Sequence, residues 1–149
     1  MCGIVADLGP KQAQSKVRAL MSRTKNKNSD DAESYFRDDY VEEFVGLFLF
    51  LETLKKSIEQ NLEMVKFKTW YKDTKKFKGQ IVLPFSKKYS NLFLPLRYKK
   101  EVNKTDELVR KINIRIDDLY KVQTVKNVDI VLSLIRQVNV ILKSISNKK

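Results

Sequence analysis

DDYVEEFVGLFLFLETLKKSIEQNLEMV, residues 38–65, decides the fold. Tyr40, Phe44, Leu47, Leu51, Leu54 and Ile58 recur at steps of four, three, four, three and four, and Leu62 and Val65 extend the series. Apolar residues at that spacing fall on one side of an α-helix, so the stretch reads as part of one long helix of about ten turns at ~3.6 residues each. Val45, Phe48, Leu49 and Phe50 widen the apolar face, which predicts a central helix covered on more than one side. A short buried strand over Phe44–Leu51 is the competing reading, disfavoured by the flanking periodicity and the lack of turn residues.

Working outward, Ser29 is an expected N-cap, with Asp30, Asp31 and Glu33 where a helix dipole favours negative charge. Upstream, residues 1–28 read as a basic arm or short helix, with Ala13, Val17, Leu20 and Met21 on one side of 11–22 and a polar linker at 24–29. Downstream, Thr105 followed by Asp106 and Glu107 reads as a helix start, and Val109, Ile112, Ile116 and Leu119 keep the register. Alternation over Ile112–Ile116 leaves a strand as a minor alternative there. The last seam is the most regular: Val128, Val131, Ile135, Val138, Leu142 and Ile145 step by three, four, three, four and three. Three such seams predict an all-α chain, an antiparallel helical bundle of three to four helices over residues 29–149. Coiled-coil-like seams of this kind can also serve a homo-oligomer.

Residues 78–100, KGQIVLPFSKKYSNLFLPLRYKK, interrupt that pattern. Gly79, Pro84 and Pro95 predict an irregular crossover with at most a helical turn or a short hairpin. Its length exceeds an ordinary bundle connection, which marks it as functional or tied down by a partner.

Charge follows the same division. The net charge is +12, with +5 in residues 1–28, −7 in 29–65, +10 in 66–100 and +4 in 101–149. A concentrated positive stretch behind an acidic one predicts an anionic partner, an internal acidic–basic pairing, or both. The chain holds one cysteine and no histidine, which excludes an internal disulfide, Cys/His zinc sites and His-based triads. No secretory leader is expected, and the longest apolar run, Phe44–Leu51, is far short of the ~20 residues that span a bilayer. A cytoplasmic or nuclear location is expected.

The first residues, MCGIV, with Gly9-Pro10 behind them, resemble the start of class II glutamine amidotransferases, which begin Met-Cys-Gly-Ile. The resemblance implies that Cys2, exposed by removal of Met1, attacks a glutamine amide with its own α-amine as base, on an αββα sandwich. It stops at Pro10. The family's Arg-Gly-Tyr-Asp-Ser-like and Asn-Gly elements have no counterpart, since neither an Arg-Gly nor an Asn-Gly dipeptide occurs in the chain. No catalytic residue, metal or cofactor is therefore expected, and the protein reads as a non-enzyme.

KFKTWYKDTKKFKG, residues 66–79, carries the functional expectation. Lys66, Lys68, Lys72, Lys75, Lys76 and Lys78 alternate with Phe67, Trp70, Tyr71 and Phe77, and eight of the fifteen aromatics lie between residues 66 and 100. Lysines attract phosphates and release counterions, while aromatics such as Trp70 and Tyr71 can stack on bases. Lys87, Lys88, Arg97, Lys99 and Lys100 extend the expected nucleic-acid surface through the crossover. Lysine outnumbers arginine there, which suits contact with the backbone of RNA or DNA over base readout. RNA is preferred, because no helix-turn-helix, zinc-finger or basic-zipper signature is visible. In the alternative reading the four aromatics pack inward and the lysines solvate an outer face.

Asp38, Asp39, Glu42 and Glu43 form two i,i+4 carboxylate pairs, read as a solvated face or one that docks the protein's own basic segment. Overall, the sequence predicts a subunit of a nucleoprotein assembly. A scaffold module that docks an acidic protein is the second reading, and peripheral contact with an anionic membrane the third.

Overall fold

The computed structural model describes residues 32–88 and 98–147. Five helices occupy them: α1 (Ala32–Glu59), α2 (Val65–Lys78), α3 (Phe85–Lys88), α4 (Lys99–Lys121) and α5 (Val125–Asn147). The fold is all-α, and no strand occurs among the described residues. Residues 112–116, where alternation allowed a strand, lie inside α4.

The three seams are buried as their spacing requires. Tyr40, Phe44 and Leu51 on α1, Ile112, Ile116 and Leu119 on α4, and Val128, Val131, Ile135 and Val138 on α5 are all fully buried. Each such side chain removed from water contributes about 1.5–3 kcal/mol. Residues 122–124 connect α4 directly to α5, too short a link for anything but a reversal. Thr124 caps the new helix, its Oγ1 accepting the Asn127 N–H at 3.1 Å. Against α1, α5 runs in the opposite direction: Lys55 pairs with Asp129 at 3.0 Å, and Arg136 covers the Phe48 ring farther along.

The predicted ten-turn helix is interrupted. α1 stops at Glu59, where Asn61 takes a left-handed φ of 55°. The Leu62 N–H donates to the Ser57 carbonyl at 2.9 Å, and the Asn61 N–H to the Ile58 carbonyl at 3.0 Å. That bond pair is a Schellman stop, with asparagine standing where glycine is commoner. Because the chain turns there, Leu62 and Val65 do not continue the α1 seam, and Val65 is exposed.

The predicted start of the next helix is also displaced. α4 begins at Lys99, so Thr105 is an interior residue and not a cap. Val102 and Thr105 extend the seam of Val109, Ile112 and Ile116 two turns upstream, and both are buried. Asp106 is diverted from its own helix. Its carboxylate accepts the Phe85 N–H at 2.7 Å and the Ser86 N–H at 3.4 Å, and also the Ser86 hydroxyl. It thus closes the N-terminus of α3.

Of the crossover, residues 78–88 and 98–100 are described, and 79–88 are irregular apart from α3. They run antiparallel along α4, held by Asn113, whose side-chain amide accepts the Val82 N–H and donates to the Val82 carbonyl, both at 2.9 Å. From the other side the Tyr40 hydroxyl donates to the Leu83 carbonyl at 2.9 Å. Ile81, Val82 and Phe85 enter the core. The proline-containing stretch is therefore tied down by polar side chains from α1 and α4. Ser29, the arm over 1–28 and Arg97 lie outside the described residues.

Candidate nucleic-acid interface

α2 positions the basic-aromatic stretch, and its inner face is anchored by aromatic contacts. Phe67 is 2% exposed, and Trp70, half-buried, meets Phe50 edge-on at a ring separation of 4.8 Å. Tyr71 stacks on Tyr120 of α4 at 4.1 Å with the planes 10° apart, and its hydroxyl donates to the Asp117 carboxylate at 2.6 Å. Burial and that hydrogen bond push the Tyr71 hydroxyl up to about 12. Gly79 ends the helix with a φ of 79°, donating its N–H to the Lys75 carbonyl at 2.8 Å. Lys75, Lys76 and Lys78 occupy the last turn, where the helix dipole favours positive charge.

This anchoring sorts the predicted site residues. Lys75 turns inward, 3.5 Å from Asp117. Lys78 reaches Glu43 at 3.6 Å, and Lys88 pairs with both Glu43 and Asp39. The acidic face of α1 thus docks the protein's own basic segment, one of the two outcomes its spacing predicts. Among the described residues no group of His, Cys, Asp and Glu is arranged to hold a metal.

Lys68, Lys72 and Lys76 have the opposite fate. Spaced by four residues on a helix whose Phe67–Tyr71 face is buried, they form a row on the exposed side. Successive members rise by ~6 Å along the axis. No ion pair among the described residues involves any of the three. Asp73 is the one acid of α2 and is also exposed. Lys66 is exposed at the start of the helix, and Lys87, Lys99 and Lys100 are exposed on α3 and at the start of α4.

Trp70 and Tyr71, expected as stacking groups, are engaged in aromatic packing within the protein. Phe77, outside the expected site, is 88% exposed, the one large aromatic among the described residues that faces solvent. Helical spacing does not mark it, because Phe77 falls seven residues after Trp70 and so on the same side of the helix. Among the described residues, no helix is long and apolar enough to cross a membrane. No family model matches the chain, and no curated protein or solved structure is significantly similar to it.

Proposed function

We propose that this chain is a small, basic, helical nucleic-acid-binding protein, a non-catalytic subunit of a cytoplasmic or nuclear nucleoprotein assembly. The outward row of Lys68, Lys72 and Lys76 is the observation that carries the reading. Three cations without an ion-pair partner among the described residues, held in line by a helix anchored on its other face, form a preorganised track for phosphates. Lysine ammonium groups act as point charges, so the contact is to backbone and nearly independent of sequence. RNA is the preferred ligand, with Lys66, Lys87, Lys99 and Lys100 as further exposed cations.

Binding of a labelled RNA oligonucleotide across a salt series tests this. Affinity falls steeply from low to moderate salt. Replacing Lys68, Lys72 and Lys76 together with Ala lowers the slope of log affinity against log salt by about 2–3. Salt-independent binding, or no binding, overturns the proposal. Purification with a stoichiometric acidic protein and no nuclease-sensitive material transfers the lysine row to the scaffold reading.

A further inference from the structure

A second surface lies on another face of the molecule, between α1 and α5. It is a shallow groove of about 410 Å³. Val45 and Phe48 line it as half-buried residues, while Leu49 and Val140 stand 44% and 67% exposed at its edges. On the α5 side Arg136 and Lys143 are exposed, and the lining contains no acid. Arg136 lies over the Phe48 ring, 5.2 Å from its centre. Asn139 contributes a buried side-chain oxygen with no hydrogen-bond partner among the described residues.

We infer that this groove docks an acidic amphipathic helix of another protein. Two antiparallel helices with exposed apolar edges present a trough into which a third helix lays its apolar face. Arg136 and Lys143 are seven residues apart, a rise of ~10.5 Å, which matches carboxylates two turns apart on the incoming helix. Charge selects among occupants. A second copy of the chain would bring the same two cations, and the chain's own residues 1–28 carry +5. An acidic partner removes the repulsion in both cases. The inference does not rest on the role proposed for α2.

The experiment uses the full chain with labelled Leu and Val methyl groups. It is titrated with a synthetic helix that has Leu on one face and Glu elsewhere. Saturable shifts centred on Val45, Leu49 and Val140 are expected, and no such shifts when Lys replaces Glu in the peptide. The double variant R136Q/K143Q, altered only at exposed positions, weakens binding about tenfold. K68A/K72A/K76A leaves groove binding in place. Several results overturn the inference: shifts confined to Val65 on α2, no saturable binding at millimolar peptide, or equal binding by the Lys peptide or by R136Q/K143Q. Concentration-dependent shifts without peptide, which assign the groove to a second copy, also overturn it. So do contacts from Val17 or Leu20, which assign it to the chain's own N-terminal residues.

Discussion

The Tyr71 hydroxyl donates to the Asp117 carboxylate at 2.6 Å, and this contact between α2 and α4 sets how α2 is rotated. With Tyr71 stacked on Tyr120, the helix can turn only its Lys68–Lys72–Lys76 side to solvent. Tyr71→Phe keeps the ring and removes the donor, leaving the half-buried Asp117 carboxylate oxygen with only the Lys75 ammonium beside it. It lowers stability by about 0.5–1.5 kcal/mol in urea denaturation.

The same tyrosine gives the molecule an alkaline limit. Its folded-state value, about 12, lies above the ordinary 10.0 of an unfolded tyrosine. Burial pushes the Tyr40 hydroxyl up as well, and the charges of Asp106 and Glu43 add to the effect. A group raised on folding contributes its full stability below its unfolded value, and that contribution is lost as pH rises through the folded one. Denaturation midpoints should therefore decline as pH rises above 10, and less steeply in Tyr71→Phe than in the native protein. An identical decline in both would remove Tyr71 from this account.

Asp106 holds α3 against α4. Asp106→Ala strips the partner from two backbone N–H groups and from the Ser86 hydroxyl in a mostly buried position. The expected cost is about 2–3 kcal/mol, with faster amide exchange at Phe85 and Ser86. Exchange unchanged at those two amides would count against a capping role.

Neighbouring lysines on α3 should respond in opposite ways. Lys88, 19% exposed, pairs with Glu43 and Asp39, so Lys88→Ala leaves two acids of α1 less compensated and costs about 2 kcal/mol or more. Lys87 is exposed, and Lys87→Ala should stay within about 0.5 kcal/mol of the native protein. Thermal melts of the two variants side by side check the contrast.

Gly79 is fixed by backbone conformation alone. A Cβ there meets nothing within 4 Å, so Gly79→Ala costs only the left-handed φ, about 1–2 kcal/mol. Gly79→Asn should recover part of that loss, since asparagine tolerates the same region. Equal stability of the Ala and Asn variants would show that the turn relaxes.

The sequence by itself determined that the chain is helical, and which residues form the core. A seam at steps of three and four is a local property, and the α1, α4 and α5 seams are buried almost to the residue. It also anticipated that the acidic face could dock basic residues, but the alternation of lysines and aromatics over 66–78 did not settle whether that stretch is helical. Two helix ends were misplaced for reasons that lie outside local pattern. Asn61 stops α1 only through a bond pair that forms once the chain has turned. Thr105 and Asp106 resemble a helix start, yet Asp106 is used by α3, 20 residues upstream of it in Ser86. The split of the basic set was likewise a tertiary matter. A lysine is neutralised or left in solvent according to which carboxylate the fold brings within ion-pair distance. Lys75, Lys78 and Lys88 met Asp117, Glu43 and Asp39, and Lys68, Lys72 and Lys76 met none among the described residues.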